Sequence, residues 1–345
     1  MQKIKFKHLE PKSWNRSRLK KTLAAFQGQR VMVIGDVGVD RYTMGIVERI
    51  SPEAPVPIVL VEEEKLKLGL AANVADNVQA LGGIPLLTGV VGRDRTAEDF
   101  RGLLRTAGIE ISYLIEDESR RTVLKERIVS DRQQLLRVDY ESFHPVNSAV
   151  EIQLINRIRT LVKKVDAVIL EDYAKGLLSP SLSEQVFSCA KSAKKIMAVD
   201  PNMKTPLERY RGAGVLTPNT KEAEKLSGVS IRDEKSLWDA GHKILTQTRA
   251  DHVVITRGKE GMAVFEAGSK EVVTIPTYAR EVYDVSGAGD TVISVLTLAL
   301  STGASIVDAV ILGNLAAGVE VGKRGTATVS PNEIRHAMDH FGLGK

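Results

Sequence analysis

The 345-residue chain is 43% hydrophobic and 26% charged, the balance of a globular protein that buries a core, which excludes a disordered or fibrous chain. It has no apolar run of the roughly 18 residues that span a bilayer and no signal-peptide core at its lysine-studded start. The lone Cys189 excludes an internal disulfide or a thiolate cluster and suits a reducing cytoplasm.

The net charge of +5 is local, because residues 1–30 hold nine Lys/Arg against Glu10 alone. Such an arm can touch nucleic acid or an anionic membrane. Nothing in it interleaves aromatics with Lys/Arg in the manner of a stacking platform. The expectation is therefore a solvated leader packed on the surface over 1–28, with neither a nucleic-acid partner nor a membrane span.

In chain order, "RVMVIGDVGVD" reads as a buried strand that stops at Gly35 and Asp36. The prolines of "SPEAPVPIVLVEE" forbid a helix and fit an edge strand. "AANVADNVQALGG" has helical spacing and ends on a glycine pair. "IPLLTGVVGRD" is a second strand and "TAEDFRGLLRTAG" a second helix. "TVLKERIVSDRQQLLRVD" alternates like a hairpin too polar for a central position. Beyond about residue 150 helices and strands alternate: "EIQLINRIRTLVKK", "DAVILEDY", "SLSEQVFSCAKSAK", "KIMAVDP", "GVLTPN", "TKEAEKLSG", then the strand pair "HVVITRG" and "GMAVFEAG". The last third is helical. This order predicts an α/β fold of three layers, with a mainly parallel sheet covered on both faces. The proline-rich and polar strands, about 43–63 and 120–140, are expected to form a small β-sheet lid on one domain over 29–340.

The stretch "DVSGAGDTVI" over residues 284–293 is the most informative. A dinucleotide fingerprint needs a third glycine, and Asp290, Thr291 and Val292 follow Gly289 instead. A Walker A loop occurs nowhere; "GVEVGKR" has the wrong spacing. A glycine-rich turn opening a helix remains, which is a ready anion site. An ordinary helix start with Asp290 as a first-turn acid explains the same residues. A carboxylate beside a phosphate-binding helix end gains a task if it takes a proton from a hydroxyl that attacks a phosphoryl group.

"DVSGAGD" also resembles the C-terminal signature of the PfkB/ribokinase family of sugar kinases. "KLGLAANVADNVQALGG" resembles that family's N-terminal glycine-rich signature, "TPNTKEAEKL" its N-x-x-E element, and "ITRGKEGMAVF" its nucleotide-loop strand pair. All lie in the family's order across about 30–330. "GDVGVDRYTMGIVERISPEAPVPIV", "QQLLRVDYE", "EDYAKG" and "VGKRGTATVS" are similar to the family's kinases of D-glycero-β-D-manno-heptose 7-phosphate. Those act on the anomeric hydroxyl and serve ADP-heptose and lipopolysaccharide core synthesis. The H-x-G-H motif of the adenylyltransferase domain often fused to them is missing from this sequence, so the stand-alone form is expected.

The resemblance implies a ribokinase-like fold, ATP and Mg²⁺ as cofactors, a homodimer joined through the lid, and in some members a monovalent cation near the turn. It makes Asp290 the general base, with the N–H groups of Gly287, Ala288 and Gly289 as anion hole. Asp40, Gly69, Asn73 and Asp284 would meet the sugar, and Arg137 and Lys175, backed by Arg41 and Arg49, its phosphate. Asn219 and Glu222 would hold Mg²⁺-bound phosphates through water; an N-cap with a capping-box Glu accounts for the same pair. Thr256, Arg257, Gly258 and Gly261 would follow the nucleotide phosphates, and Asn314 the adenine. His336 and His340, four apart on a terminal helix, read as exposed and inert.

One position departs from the family pattern. Leu70 stands where a second glycine usually precedes "AAN", so either its φ stays negative and it packs under the lid, or sugar binding is altered. "DPNMK" for the subgroup's D-P-K is milder. Other readings stay open: a family kinase for another sugar, sugar phosphate or nucleoside, or a catalytically weak sugar-phosphate binder.

Overall fold

The computed structural model describes residues 4–130, 133–279, 282–323, 325 and 327–340. Residues 131 and 132 of the expected lid, and Arg324 and Thr326 of "VGKRGTATVS", lie outside the described residues. The chain opens with strand β1 (Lys5–His8) and helix α1 (Arg16–Ala24), then runs β2 (Arg30–Gly35) into the long strands β3 (Val37–Ile50) and β4 (Pro57–Leu70). Next come α2 (Ala71–Ala80), β5 (Ile84–Thr88), β6 (Val90–Val91), α3 (Arg95–Thr106) and β7 (Ile115–Glu116). β8 (Val123–Ser130) and β9 (Gln133–Tyr140) lead to α4 (Ser148–Leu161), β10 (Ala167–Glu171), α5 (Pro180–Ser192) and β11 (Ile196–Asp200). β12 (Val215–Leu216), α6 (Thr220–Ser227), α7 (Glu234–Thr248), β13 (His252–Thr256), β14 (Met262–Glu266) and β15 (Glu271–Ile275) follow. The chain closes with α8 (Ala288–Ser301), α9 (Ile306–Glu320) and α10 (Pro331–His340).

Nine strands form one sheet in the order β1-β15-β14-β13-β12-β11-β10-β2-β5. Only β14 runs against its neighbours. The two-residue period of a strand sends alternate side chains to opposite faces. In β2, Val31 and Val33 join one apolar cluster while Met32 and Ile34 join another. The first cluster packs α1, α2, α8, α9 and α10 on one face, and the second packs α4, α5 and α7 on the other. This is the three-layer α/β arrangement that strand and helix alternation predicts.

A second sheet, β4-β3-β8-β9, stands off the edge of this body. β4 and β9 are its edges, so the prolines fall at the start of an edge strand and in the turn before it. The lid is longer than the sequence suggests: β3 leaves directly from β2, and β4 runs without a break into α2.

The N-terminal segment is not a solvated arm. β1 pairs in parallel with β15 from Lys5 opposite Glu271 to His8 opposite Thr274. Leu19, Leu23 and Phe26 are buried in the first cluster. Apolar residues spaced along a basic stretch bury one face and leave the lysines in water. Leu70 does not take the negative φ of the first of the two alternatives, although its side chain is buried. It sits at φ 59°, ψ −140° as N-cap of α2, and only 6% of it is exposed.

Candidate active site

The carboxyl ends of the parallel strands gather in one cleft, where open α/β sheets bind ligands. β2 ends at Gly35, β10 at Glu171, β11 at Asp200 and β13 at Thr256, and Asn219 bridges to Thr256. The turn before α8 enters this cleft. Gly287 is its N-cap at φ 95°, a left-handed value that disfavours any side chain. Because α8 starts at Ala288, its first-turn N–H groups have no partner within the helix and face the cleft with the positive dipole end.

Asp290 lies in that first turn. Asn73 Nδ2 donates to its Oδ2 at 2.6 Å and the Tyr173 hydroxyl to its Oδ1 at 3.1 Å. α2 and α8 are joined behind this contact, where the Thr291 hydroxyl donates to Asn77 Oδ1 and Ser294 Oγ to the Val74 carbonyl. Burial raises the Asp290 carboxyl to about 6, against the opposing pull of the Asn73 and Tyr173 hydrogen bonds. A carboxylate poised there is ionised at neutral pH yet more basic than one in water.

Tyr173 sits on a loop held from several sides. Ala174 takes a φ of 55°; its N–H donates to Asp172, and the Lys175 N–H donates to Asp36. Arg120 donates to the Lys175 carbonyl at 2.6 Å, and the Tyr210 hydroxyl to Asp172 at 2.6 Å. A part-buried polar network of this kind rigidifies what it holds.

Glu171, Asp200 and Asp290 bring carboxylate oxygens within 4.8 Å of one another. Burial, and then the neighbouring carboxylates, push Glu171 and Asp200 well above the usual carboxylate range. Glu171 Oε1 is buried without a hydrogen-bond partner among the described residues. Three close carboxylates with an orphaned oxygen fit a divalent cation, which would relieve their repulsion.

One side of this cleft is built from the smaller sheet. Asp40 is buried and ion-paired with Arg127 at 2.6 Å. A Cβ on Gly69 would lie 3.0 Å from Asp40 Oδ2, so glycine leaves that carboxylate its room. Lys125 Nζ stands 5.5 Å from the Tyr173 ring centroid and acts electrostatically on both Asp40 and Asp290. Lys175 reaches Glu141 at 2.6 Å. Arg137 faces Arg127 across β8 and β9 but is half-exposed and bidentate to Asp139. Arg41 meets Asp99 at 4.0 Å, away from this group. The Asp284 carboxylate accepts from the Ser286 N–H at 2.9 Å and so shapes the turn.

On the other side of the α8 turn lies a cleft of about 480 Å³ whose lining includes Thr256, Gly258, Gly261, Met262, Ala288, Gly289, Asn314 and Val321. Asn314 is buried and donates to the Pro276 carbonyl at 2.6 Å. Arg257 departs from the expected path along the phosphates. It pairs with Glu260 and lines a separate cavity beneath β1 and α7. Asn219 and Glu222 make a full capping box, with Glu222 Oε2 accepting from the Asn219 N–H at 2.8 Å. Glu222 still acts electrostatically on Asp200 and Glu171. His340 Nδ1 contacts the His336 carbonyl of its own helix.

Sequence reasoning missed Glu171, Asp200, Tyr173, Lys125 and Arg127. The first two end buried parallel strands, the position where ligands meet such sheets, and could have been found that way. The lid cations needed the strand register.

The pfkB family carbohydrate kinase family matches residues 28–333. "Bifunctional protein HldE" of Geobacter sulfurreducens is 44% identical over 303 residues, 88% of this chain and 61% of that protein. The protein of the same name from Helicobacter hepaticus is 43% identical, over 88% of this chain and 63% of its own length. The chain thus spans about three-fifths of these relatives. Among solved structures, Arabidopsis thaliana ribokinase complexed with ribose and ATP superposes with a TM-score of 0.71 at 19% identity, covering 90% of this chain and 99% of that one. Escherichia coli phosphofructokinase-2 in complex with potassium gives 0.74 at 18% identity, covering 91% and 99%. The fold is therefore ribokinase-like, and the chain belongs to the pfkB family of carbohydrate kinases.

Proposed function

We propose that this kinase transfers the γ-phosphoryl of ATP to the anomeric hydroxyl of D-glycero-D-manno-heptose 7-phosphate, giving the 1,7-bisphosphate on the route to ADP-heptose and lipopolysaccharide core. The carrying observation is the position of Asp290. It stands at the head of α8, between a cation-rich lid floor and the apolar cleft, and accepts hydrogen bonds from Asn73 and Tyr173.

In this reading Asp290 takes the proton of the attacking hydroxyl, and Asn73 and Tyr173 hold the carboxylate in line. The N–H groups at Gly287, Ala288 and Gly289 receive the charge that develops on the moving phosphoryl, where preorganised donors contribute most. Asp40 accepts from the sugar hydroxyls. Lys125, Arg127 and Lys175 face the distal phosphate, with Arg137 at the rim. Glu171 and Asp200, with Glu222 through water, would hold Mg²⁺, which would supply charge neutralisation to the nucleotide phosphates. Thr256, Gly258 and Gly261 line the phosphate end of the nucleotide cleft and Asn314 its base end. The lid's exposed Ile50, Val56, Leu60, Val61 and Leu136 favour a homodimer through that sheet. The cytoplasm, where ATP and sugar phosphates meet, is the proposed compartment.

The test is ADP release over a panel of sugars, sugar phosphates and nucleosides. Turnover is expected on the heptose phosphate, falling by about 10³ or more in Asp290→Asn. Turnover that survives in Asp290→Asn removes the base, and turnover only on another acceptor removes the substrate.

A further inference from the structure

Glu141 follows the last residue of β9, the strand by which the chain leaves the smaller sheet. Its carboxylate meets the Lys175 ammonium at 2.6 Å, and the two side chains are only 9% and 15% exposed. A charge pair so little exposed is weakly screened, and breaking it leaves one charge without a counter-ion. Phe143, two residues on, presents its ring to the same ammonium, with the centroid 4.6 Å from Nζ.

The backbones of the two segments are joined as well. The Val146 N–H donates to the Gly176 carbonyl at 3.1 Å. Gly176 takes a φ of 93°, and a Cβ there would collide with the His144 carbonyl, so glycine permits the close approach. Residues 141–146 and 174–176 therefore run against each other through an ion pair, a ring contact and a backbone bond. From other sides the loop is held by Asp36 and Arg120 at Lys175 and by Tyr210 at Asp172. Tyr173, inside this loop, carries the hydroxyl that donates to Asp290 at 3.1 Å.

The contact from Glu141 differs from these in origin. It comes from the end of a strand of the smaller sheet, so it moves with that sheet. We propose that the Glu141–Lys175 pair is a clasp through which the seating of the smaller sheet sets the position of Tyr173. Glu141 is then a positioning residue, acting on Asp290 through the loop and the Tyr173 hydroxyl. The carboxylate of Asp290 has its second donor in place only while the sheet is seated. The effect on catalysis rests on the reading of Asp290 as the base; the clasp itself does not.

The experiment measures kcat and its pH profile in the full chain carrying Glu141→Gln, alone and combined with Tyr173→Phe. Glu141→Gln should lower kcat about tenfold in the wild-type background, but less than about twofold in Tyr173→Phe, where the hydroxyl is already gone. Its acid limb should move upward, in the direction of Tyr173→Phe, and the combined variant should move no further. Glu141→Gln with Lys175→Met removes both charges and leaves none unpaired; it should still show the lowered kcat and the displaced limb. Hydrogen exchange gives a readout that needs no turnover: amides of residues 172–176 should exchange about tenfold faster in Glu141→Gln. Equal losses of kcat in the two backgrounds overturn the proposal, as does an unmoved limb or unchanged exchange. If Glu141→Gln fails to fold, the variant lacking both charges replaces it in each comparison. If Tyr173→Phe leaves the limb in place, or no acceptor is turned over, the reading of Asp290 fails, and exchange alone decides on the clasp.

Discussion

Asp290 is caught between two opposing influences. Burial favours its protonated form, whereas donors from Asn73 and Tyr173 favour the carboxylate, and the balance falls at about 6. On the proposed reading of Asp290 as the base, which must be ionised to act, the rate should be flat above that pH and fall as pH drops through about 6. Tyr173→Phe removes one donor to the carboxylate. A hydrogen bond to a charged group is typically about 1.5–3 kcal/mol, or about 1–2 pH units, which moves the acid limb to about pH 7–8. A pH profile of kcat/KM checks this, because a merely structural tyrosine would lower the rate without moving the limb. Stability runs the other way. The folded pKa lies above the ordinary 3.8, so the native state binds the proton more tightly. That contribution is full below about pH 4 and is lost as pH rises through about 6. The proposed activity and the stability thus have opposite pH dependence at this residue, as expected where a carboxylate is held in a dry site.

The junction of β4 and α2 shows the same tension between elements. β4 must turn sharply into α2 so that Gly69 can lie under Asp40 and Asn73 can reach Asp290. The turn puts Leu70 at φ 59°, ψ −140°, a region that costs a residue with a Cβ about 1–3 kcal/mol. Its buried side chain returns a similar amount, about 1.5–3 kcal/mol. At an ordinary buried strand position glycine is worse than alanine by about 0.5–1 kcal/mol. At Leu70 the order should invert, with Leu70→Gly more stable than Leu70→Ala by about 1 kcal/mol. Urea unfolding of both variants measures it. The usual order would mean that the backbone there is unstrained. The family pattern made residue 70 conspicuous in the sequence, but whether leucine would relax the backbone or be strained by it depends on the strand and helix it joins.

Across the whole molecule, the N-terminal segment belongs to the fold although the family match begins at residue 28. Leu19, Leu23 and Phe26 are almost wholly buried, and at about 1.5–3 kcal/mol each they supply much of the roughly 5–15 kcal/mol by which a domain is stable. β1 also covers the edge of β15, which would otherwise offer an unpaired strand. A chain beginning at residue 28 should therefore melt well below the full one and aggregate. Scanning calorimetry with size-exclusion chromatography tests this, and a monodisperse truncated chain of unchanged melting temperature would refute it.

The amino-acid order alone determined the alternation of helices and strands, the edge-strand lid, and the turn from Asp284 to Asp290 that points to phosphoryl transfer. These are local properties, set by periodicity, by proline and glycine, and by spacing within a few residues. The basic charge of residues 1–28 hid an amphipathic helix and an edge strand, because charge count is blind to which face is buried. The tertiary structure alone decided which residues join Asp290. Tyr173 and Glu171 come from more than a hundred residues away, and Lys125, with the Arg127–Asp40 pair, arrives from the smaller sheet. Their meeting depends on strand register, where a slip of one residue would turn every side chain to the opposite face.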